Sequence, residues 1–311
     1  MLNTKATVAR PAPQLEDHIV LQPARPVAYA AVEAMRPLQW SKNLLVFAGI
    51  VFAAEFRDID LWVEASVAFV AYCAASSAAY VANDLRDAPA DREHPIKRLR
   101  PIARGDVSPT TALLLGGVLL AVAVMLGALL GLESLVLVLA FVALQAGYTM
   151  RLKHIVLLDV FAIAALFVIR ATAGAVAVDV PVSEWLLVCT ALLALFLGLA
   201  KRRAELRLVS AQETPGRQVL SDYSLELIDQ LVSVAAASTI IAYSLYTFTA
   251  HDSNAMMLTI PFVMYGVFRY LLLIDRDGRG EEPERVLVTD KPLILAVVLW
   301  ALTAVVILAL T

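Results

Sequence analysis

Long, almost unbroken apolar stretches run through this chain, and each must be enclosed by lipid or by a core larger than 311 residues can build. Nine are evident, at roughly 39–56, 62–82, 110–131, 134–150, 155–178, 184–200, 229–250, 255–274 and 292–310, most of them near bilayer-crossing length. The first is short and flanked by charge, and is the weakest. With 60% hydrophobic residues, 17% charged residues and a mean hydropathy of +0.75, ordinary soluble, secreted, disordered and fibrous classes are excluded. The expected fold class is therefore an all-α integral membrane protein of nine transmembrane helices. Residues 1–35 are polar, carry Pro11, Pro13, Pro23 and Pro26, and lack the apolar core of a secretory signal. They read as a mobile cytoplasmic amino-terminal tail, with residues 36–311 forming the transmembrane domain.

The net charge of −3 gives no reason to expect a nucleic-acid partner, but the sum hides a segregation. Of 25 Lys and Arg residues, only Arg57 falls in a loop that a cytoplasmic amino terminus would place outside, while Lys42, Arg170 and Arg269 lie within spans, Arg170 farthest from their cytoplasmic ends. The segment after the second span carries Arg86, Arg92, Lys97, Arg98, Arg100 and Arg104; that after the sixth carries Lys201, Arg202, Arg203, Arg207 and Arg217. The opposite loops hold mainly Asp and Glu. Nine spans, amino terminus inside, in a plasma (inner) membrane with the charged loops cytoplasmic, satisfy the charge rule. Cys73 and Cys189 each lie in an apolar stretch and read as packing residues rather than a disulfide or zinc site.

Chemistry concentrates in NDLRDAPADREHPIKRLRPIARG at 83–105, which follows the small-residue run AASSAAYVA. Asn83, Asp87 and Asp91 recur every four residues and Asp84 stands three before Asp87, so on a helix their oxygens share a face. Oxygen donors without His or Cys suit a hard cation such as Mg²⁺, with Mn²⁺ as the substitute, completed by substrate phosphates. Pro89 is expected to kink or break this helix. The basic half then offers Lys97, Arg98, Arg100 and Arg104, residue types suited to phosphate. A purely topogenic loop would need the cations but not the acidic ladder before them. On the fifth span Asp159 and Arg170 are eleven residues apart and face one side; intramembrane charge marks functional candidates, and for Arg170, nearer the external end, a structural partner is the other reading.

The string NDxxDxxxD followed by RPIARG, after the second of nine spans, resembles the first signature of the UbiA superfamily of intramembrane prenyltransferases. The resemblance covers the whole membrane region and implies a UbiA-like bundle in which Asn83, Asp87 and Asp91, with Asp84, hold Mg²⁺ on a substrate diphosphate; Asp84, Asp87 and Asp91 are then the catalytic carboxylates. Aromatic prenyltransferases of the family carry a second Asp-rich motif after the sixth span, where this chain has AKRRAELRL at 200–208. Asp222, Glu226 and Asp229 could be a displaced version. Together with RPLQWSKN at 36–43, these features are similar to the decaprenyl-phosphate phosphoribosyltransferase branch, which implies phosphoribosyl diphosphate and a polyprenyl phosphate as substrates. Expected contacts are Lys201 and Arg202 to phosphate, Glu205 to a ribose hydroxyl or an orienting Arg, and Lys42 to the lipid or donor phosphate. Tyr148, Arg151 and Lys153 either complete the anion site or anchor the interface. Prenyl transfer to an aromatic acceptor is the alternative, and a homo-oligomer is left open.

Overall fold

The computed structural model describes residues 25–52, 58–94, 96–210, 220, 222–250, 253–277, 286 and 289–310. Much of the amino-terminal tail, Arg217 and most of the 278–288 loop lie outside the described residues. Among those described there is no strand. The helices in chain order are α1 (Val27–Ala34), α2 (Ala48–Phe52), α3 (Ile59–Glu93), α4 (Pro101–Arg104), α5 (Pro109–Leu129), α6 (Leu132–Met150), α7 (Leu158–Ala177), α8 (Glu184–Ser210), α9 (Leu225–Thr249), α10 (Ile260–Asp277) and α11 (Lys291–Leu310). Eight of the described helical segments are long and apolar enough to cross a membrane. The chain is a multi-pass membrane protein.

Two apolar cores meet at α7. One gathers Tyr72, Ala75, Leu119, Ala123, Val138 and Phe141 from α3, α5 and α6 around Leu166 and Ala173. The other gathers Phe196, Leu199, Val232, Ala235, Val267 and Leu293 from α8 to α11 around Val160. Between helices lipid offers no hydrophobic gain, so close van der Waals packing has to hold them, which suits the buried Ala65, Ala68, Ala71, Ala74, Ala75 and Ala78 along α3.

The first expected span departs most from expectation. Pro37–Phe47 is a 3₁₀ helix of 11 residues, followed by the five-residue α2, instead of one α-helix. Such a long 3₁₀ run is uncommon because its hydrogen bonds are poorer, so tertiary contacts must hold it. They are present on two sides. Along α3, Trp40 Nε1 donates to Ser77 Oγ at 3.0 Å, Ser77 Oγ to the Met35 carbonyl at 2.9 Å, and Asn43 Nδ2 to Cys73 Sγ at 3.2 Å. Against α7 the backbones touch: a Cβ on Gly174 would sit 1.8 Å from the Val46 carbonyl oxygen, and one on Gly49 would sit 2.8 Å from Ala175 Cα.

Arg170 completes this seam. Its Nε donates to Asn43 Oδ1 at 2.7 Å, its Nη1 to the Leu166 carbonyl at 3.1 Å, and its guanidinium lies 4.6 Å and 5.2 Å from the Phe141 and Phe167 ring centroids. No carboxylate pairs with it among the described residues. Buried Arg170 therefore has a structural partner, supplied by an amide and two aromatic faces.

Pro89 does not interrupt α3, which runs on to Glu93. The carbonyl deprived of its donor is that of Leu85, near the end of the helix, where water or polar groups can replace the lost bond. The acidic ladder thus sits on a rigid extension eleven residues past the expected span end. The AKRRAEL segment likewise continues α8 to Ser210. Both charged motifs are helix ends, not loops.

Candidate active site

Alternation of the helices brings the carboxyl ends of α3, α6 and α8 and the amino ends of α5, α7 and α9 to one face of the bundle. Acidic residues are disfavoured in the last turns of a helix, where the macrodipole is negative, so the α3 run needs compensation. Arginines supply it. Asp84, 3% exposed, accepts from Arg36 Nη2 at 2.6 and 2.9 Å and from Arg100 Nη1 at 3.2 Å. Arg100 Nη1 also donates to Asp91 at 2.6 Å. Arg36 has a left-handed backbone, φ 55°, directly before the 3₁₀ helix, and its guanidinium lies 4.8 Å from the Tyr80 ring centroid.

The expected ladder is split by this arrangement. Asp84 and Asp91, seven residues apart, share a buried face and the Arg100 side chain, while Asn83 and Asp87 are half-buried on the adjoining face. Asp87 lies 3.7 Å from Lys153 Nζ, in the turn after α6. Among the described residues no three His, Cys, Asp or Glu side chains gather as a metal cage, and Asp91 is ion-paired with Arg100. Asp222, Glu226 and Asp229 do not gather either: all three are exposed, and Asp229 is ion-paired with Arg203.

Arg202 differs from the expectation of an open phosphate-gripping arginine. It is 1% exposed. Its Nε donates to Asp159 at 2.5 Å, Nη1 to Glu205, and Nη2 to Tyr148 Oη at 3.2 Å. Asp159 is fully buried and also accepts from Tyr223 Oη at 3.1 Å, which itself accepts the Leu157 N–H at 2.8 Å. Three charges are taken from water here, and a buried ion pair is tolerated only when its remaining hydrogen-bonding capacity is met, as this network does. Tyr223 escaped the sequence reading because its partners are 64 and 66 residues away.

Lys97, Arg104 and Lys201 are half-buried and Arg98 is exposed around the same end. Arg104 pairs with Asp106 at 2.5 Å, and Lys42 Nζ donates to Gln39 Oε1 at 2.6 Å. His94 Nδ1 accepts the N–H groups of Ile96 and Lys97 at 3.2 and 3.3 Å, a turn-forming role. Desolvation and the Lys97 ammonium hold its imidazole below its usual pKa, in the direction that suits an acceptor nitrogen.

Residues 44–289 match the model of the UbiA prenyltransferase family. The chain belongs to the UbiA family. Among its UbiA-family relatives is a decaprenyl-phosphate phosphoribosyltransferase of Mycolicibacterium smegmatis, 34% identical over 294 residues, 89% of this chain and 92% of that protein. One of the same name from Mycobacterium tuberculosis is 33% identical over 299 residues, 93% and 97% of the two chains. In three dimensions the chain is similar to a UbiA homologue from Archaeoglobus fulgidus solved with GPP and Mg²⁺, with a TM-score of 0.68 at 17% identity over 91% of this chain and all of that one. The UbiA fold assigned from the first signature is thus the observed fold.

Proposed function

We propose that this UbiA protein transfers 5-phosphoribose from phosphoribosyl diphosphate to a polyprenyl phosphate and releases diphosphate. The observation that carries this reading is the end of α8, where half-buried Lys201 stands in place of a second Asp-rich motif, beside Arg202 and Arg203, whose charges are taken up by Asp159, Glu205, Asp229 and Asp275. A donor with a third phosphate group, meeting an anionic acceptor, is better matched by one acidic pole and one cationic pole than by two acidic ones. The names of the relatives support the same reading.

The donor C1–O bond breaks, its electron pair leaves with diphosphate, and an acceptor phosphate oxygen bonds to C1. The largest help is stabilisation of the leaving charge, and the acceptor, already anionic, needs placement more than deprotonation. Asn83 and Asp87 form an oxygen donor set that fits Mg²⁺ or Mn²⁺ bound mainly through substrate phosphates, with Asp91 one turn further on. Bound there, the cation would neutralise diphosphate charge. Lys42, Lys97, Arg98, Arg104, Lys153 and Lys201 surround the bound anions. Arg202, fixed by Asp159 and Glu205, orients Tyr148 and the α8 end and does not itself reach for phosphate.

The test is direct: purified protein with Mg²⁺, labelled phosphoribosyl diphosphate and a polyprenyl phosphate should move label into an organic-extractable lipid. Labelled isoprenyl diphosphate with 4-hydroxybenzoate should yield no product. The opposite pair of results would assign the chain to prenyl transfer.

Orientation belongs to the same proposal. The 3₁₀ segment and α2 together span about 30 Å, from ~2.0 Å per residue over 11 residues and ~1.5 Å per residue over five, enough for the hydrocarbon thickness. Their ends lie at opposite faces: Arg36 at Asp84, and Ile50 packed with Ala65 and Val178. With nine crossings, the distribution of Lys and Arg supports a site face and an amino terminus in the cytoplasm. In cells of a cysteine-free variant, Lys97→Cys should resist an impermeant thiol reagent and Glu133→Cys should react. The reverse pattern would invert the orientation.

A further inference from the structure

Arg36 and Arg100 are joined through one buried carboxylate, and neither guanidinium is exhausted by it. Asp84 receives three hydrogen bonds from the pair, yet uses only Nη2 of Arg36 and Nη1 of Arg100. Arg100 spends that same Nη1 on Asp91. The Nε and Nη1 groups of Arg36, and the Nε and Nη2 groups of Arg100, have no protein acceptor among the described residues. Both side chains remain a little over one quarter exposed.

Each arginine is also held in place. Arg36 is fixed by its left-handed backbone, by the Tyr80 ring and by Asp84. Arg100 stands at the junction of the turn Lys97–Leu99 with α4, with Asp84 on one side and Asp91 on the other. Arginine donors directed in this way match a tetrahedral phosphate, and little conformational entropy remains to be lost when it binds. The carboxylates that hold the pair, Asp84 and Asp91, lie on the face of α3 adjoining that of Asn83 and Asp87, so a ligand held by both would extend from one face to the other.

We propose that Arg36 and Arg100 form the seat for the 5-phosphate of the donor, separate from the Asn83–Asp87 side that faces its diphosphate. The assignment rests on the phosphoribosyl reading above and deepens it, since an isoprenyl diphosphate has no group to place there. Asp84, with bonds from both arginines, is the permanent anchor. Asp91, bound through one nitrogen, is a temporary occupant that the incoming phosphate displaces. Four residues from Asp87, the freed carboxylate turns to the face of Asn83 and Asp87. Donor binding thereby completes the oxygen ladder that Arg100 interrupts in the free protein.

The experiment measures binding by the full chain in detergent with Mg²⁺: displacement of labelled phosphoribosyl diphosphate by ribose 5-phosphate, and separately by inorganic diphosphate. In Arg36→Ala, displacement by ribose 5-phosphate should weaken about 10- to 100-fold, the range for losing a charged hydrogen-bonding partner, while that by diphosphate stays within about threefold. Arg36→Lys, which keeps the charge and alters the substitution least, should give a smaller loss of the same selectivity and serves if the alanine variant does not fold. Equal weakening toward both competitors, or none toward either, overturns the seat. Failure of the unaltered protein to bind phosphoribosyl diphosphate overturns the functional reading and the seat together.

Discussion

Asp87→Asn should lower turnover by at least about 10²-fold, with little change in the melting temperature of the detergent-extracted protein. The two halves of this expectation come from different contacts. Structurally Asp87 has little at stake: it is about one third exposed and its nearest cation, Lys153, is 3.7 Å away, a geometry that contributes well under about 1 kcal/mol. Chemically it is the exposed carboxylate on the face where a cation and a leaving diphosphate would meet. Loss of one charged oxygen there removes stabilisation of the departing charge and should raise the Mg²⁺ concentration needed for half-maximal rate. Asp84→Asn is a poor substitute for this experiment, because it leaves two arginines around a buried neutral side chain and costs about 3–5 kcal/mol of stability. A near-normal rate in a well-folded Asp87→Asn protein would move the metal and diphosphate elsewhere.

The second large effect concerns the fold. Gly174→Ala adds one methyl where the new carbon would lie 1.8 Å from the Val46 carbonyl oxygen and 2.6 Å from its carbon. Those atoms are backbone, so no rotamer change relieves the clash, and the 3₁₀ segment has to separate from α7. Overpacking of this kind costs about 3 kcal/mol or more and should lower the melting temperature in detergent on the order of 10 °C. Gly198→Ala is the control, since its added carbon would meet only the Val160 side chain at 3.6 Å, an ordinary contact. Similar melting temperatures for the two variants would mean that the 3₁₀ segment is not wedged against α7.

What could be read from the sequence divides along physical lines. Apolar runs report lipid exposure, and they located the segments that became α3 and α5 to α11, while the signature at 83–105 pointed to the family whose fold the chain has. Runs of apolar residues carry no information about helix type, so the 3₁₀ form of Pro37–Phe47 was not visible; it follows from glycine contacts across the bundle. Charge is read at the residue, but its state is decided by partners. Arg202 looked like a phosphate ligand until Asp159, 43 residues away, occupied it. Arg36 was part of a recognised string and received no role, because its carboxylate partner is 48 residues away. Pro89 warned of a break that the end of a helix near water does not suffer.

The bond between Arg170 and Asn43 joins residues 127 positions apart, and the seam around it also needs Gly174. During synthesis, this first apolar segment therefore emerges well before the α7 groups that pair its buried polar atoms. At roughly 5–20 residues per second, that interval is on the order of 6–25 s. Through it, Asn43 lacks its guanidinium partner, and the 3₁₀ segment lacks one of the two walls that hold its shape. Assembly then departs from chain order, since the segment reaches its packed form only after α7 arrives. A chain truncated before α7 should expose the segment to proteases from which the finished protein shields it.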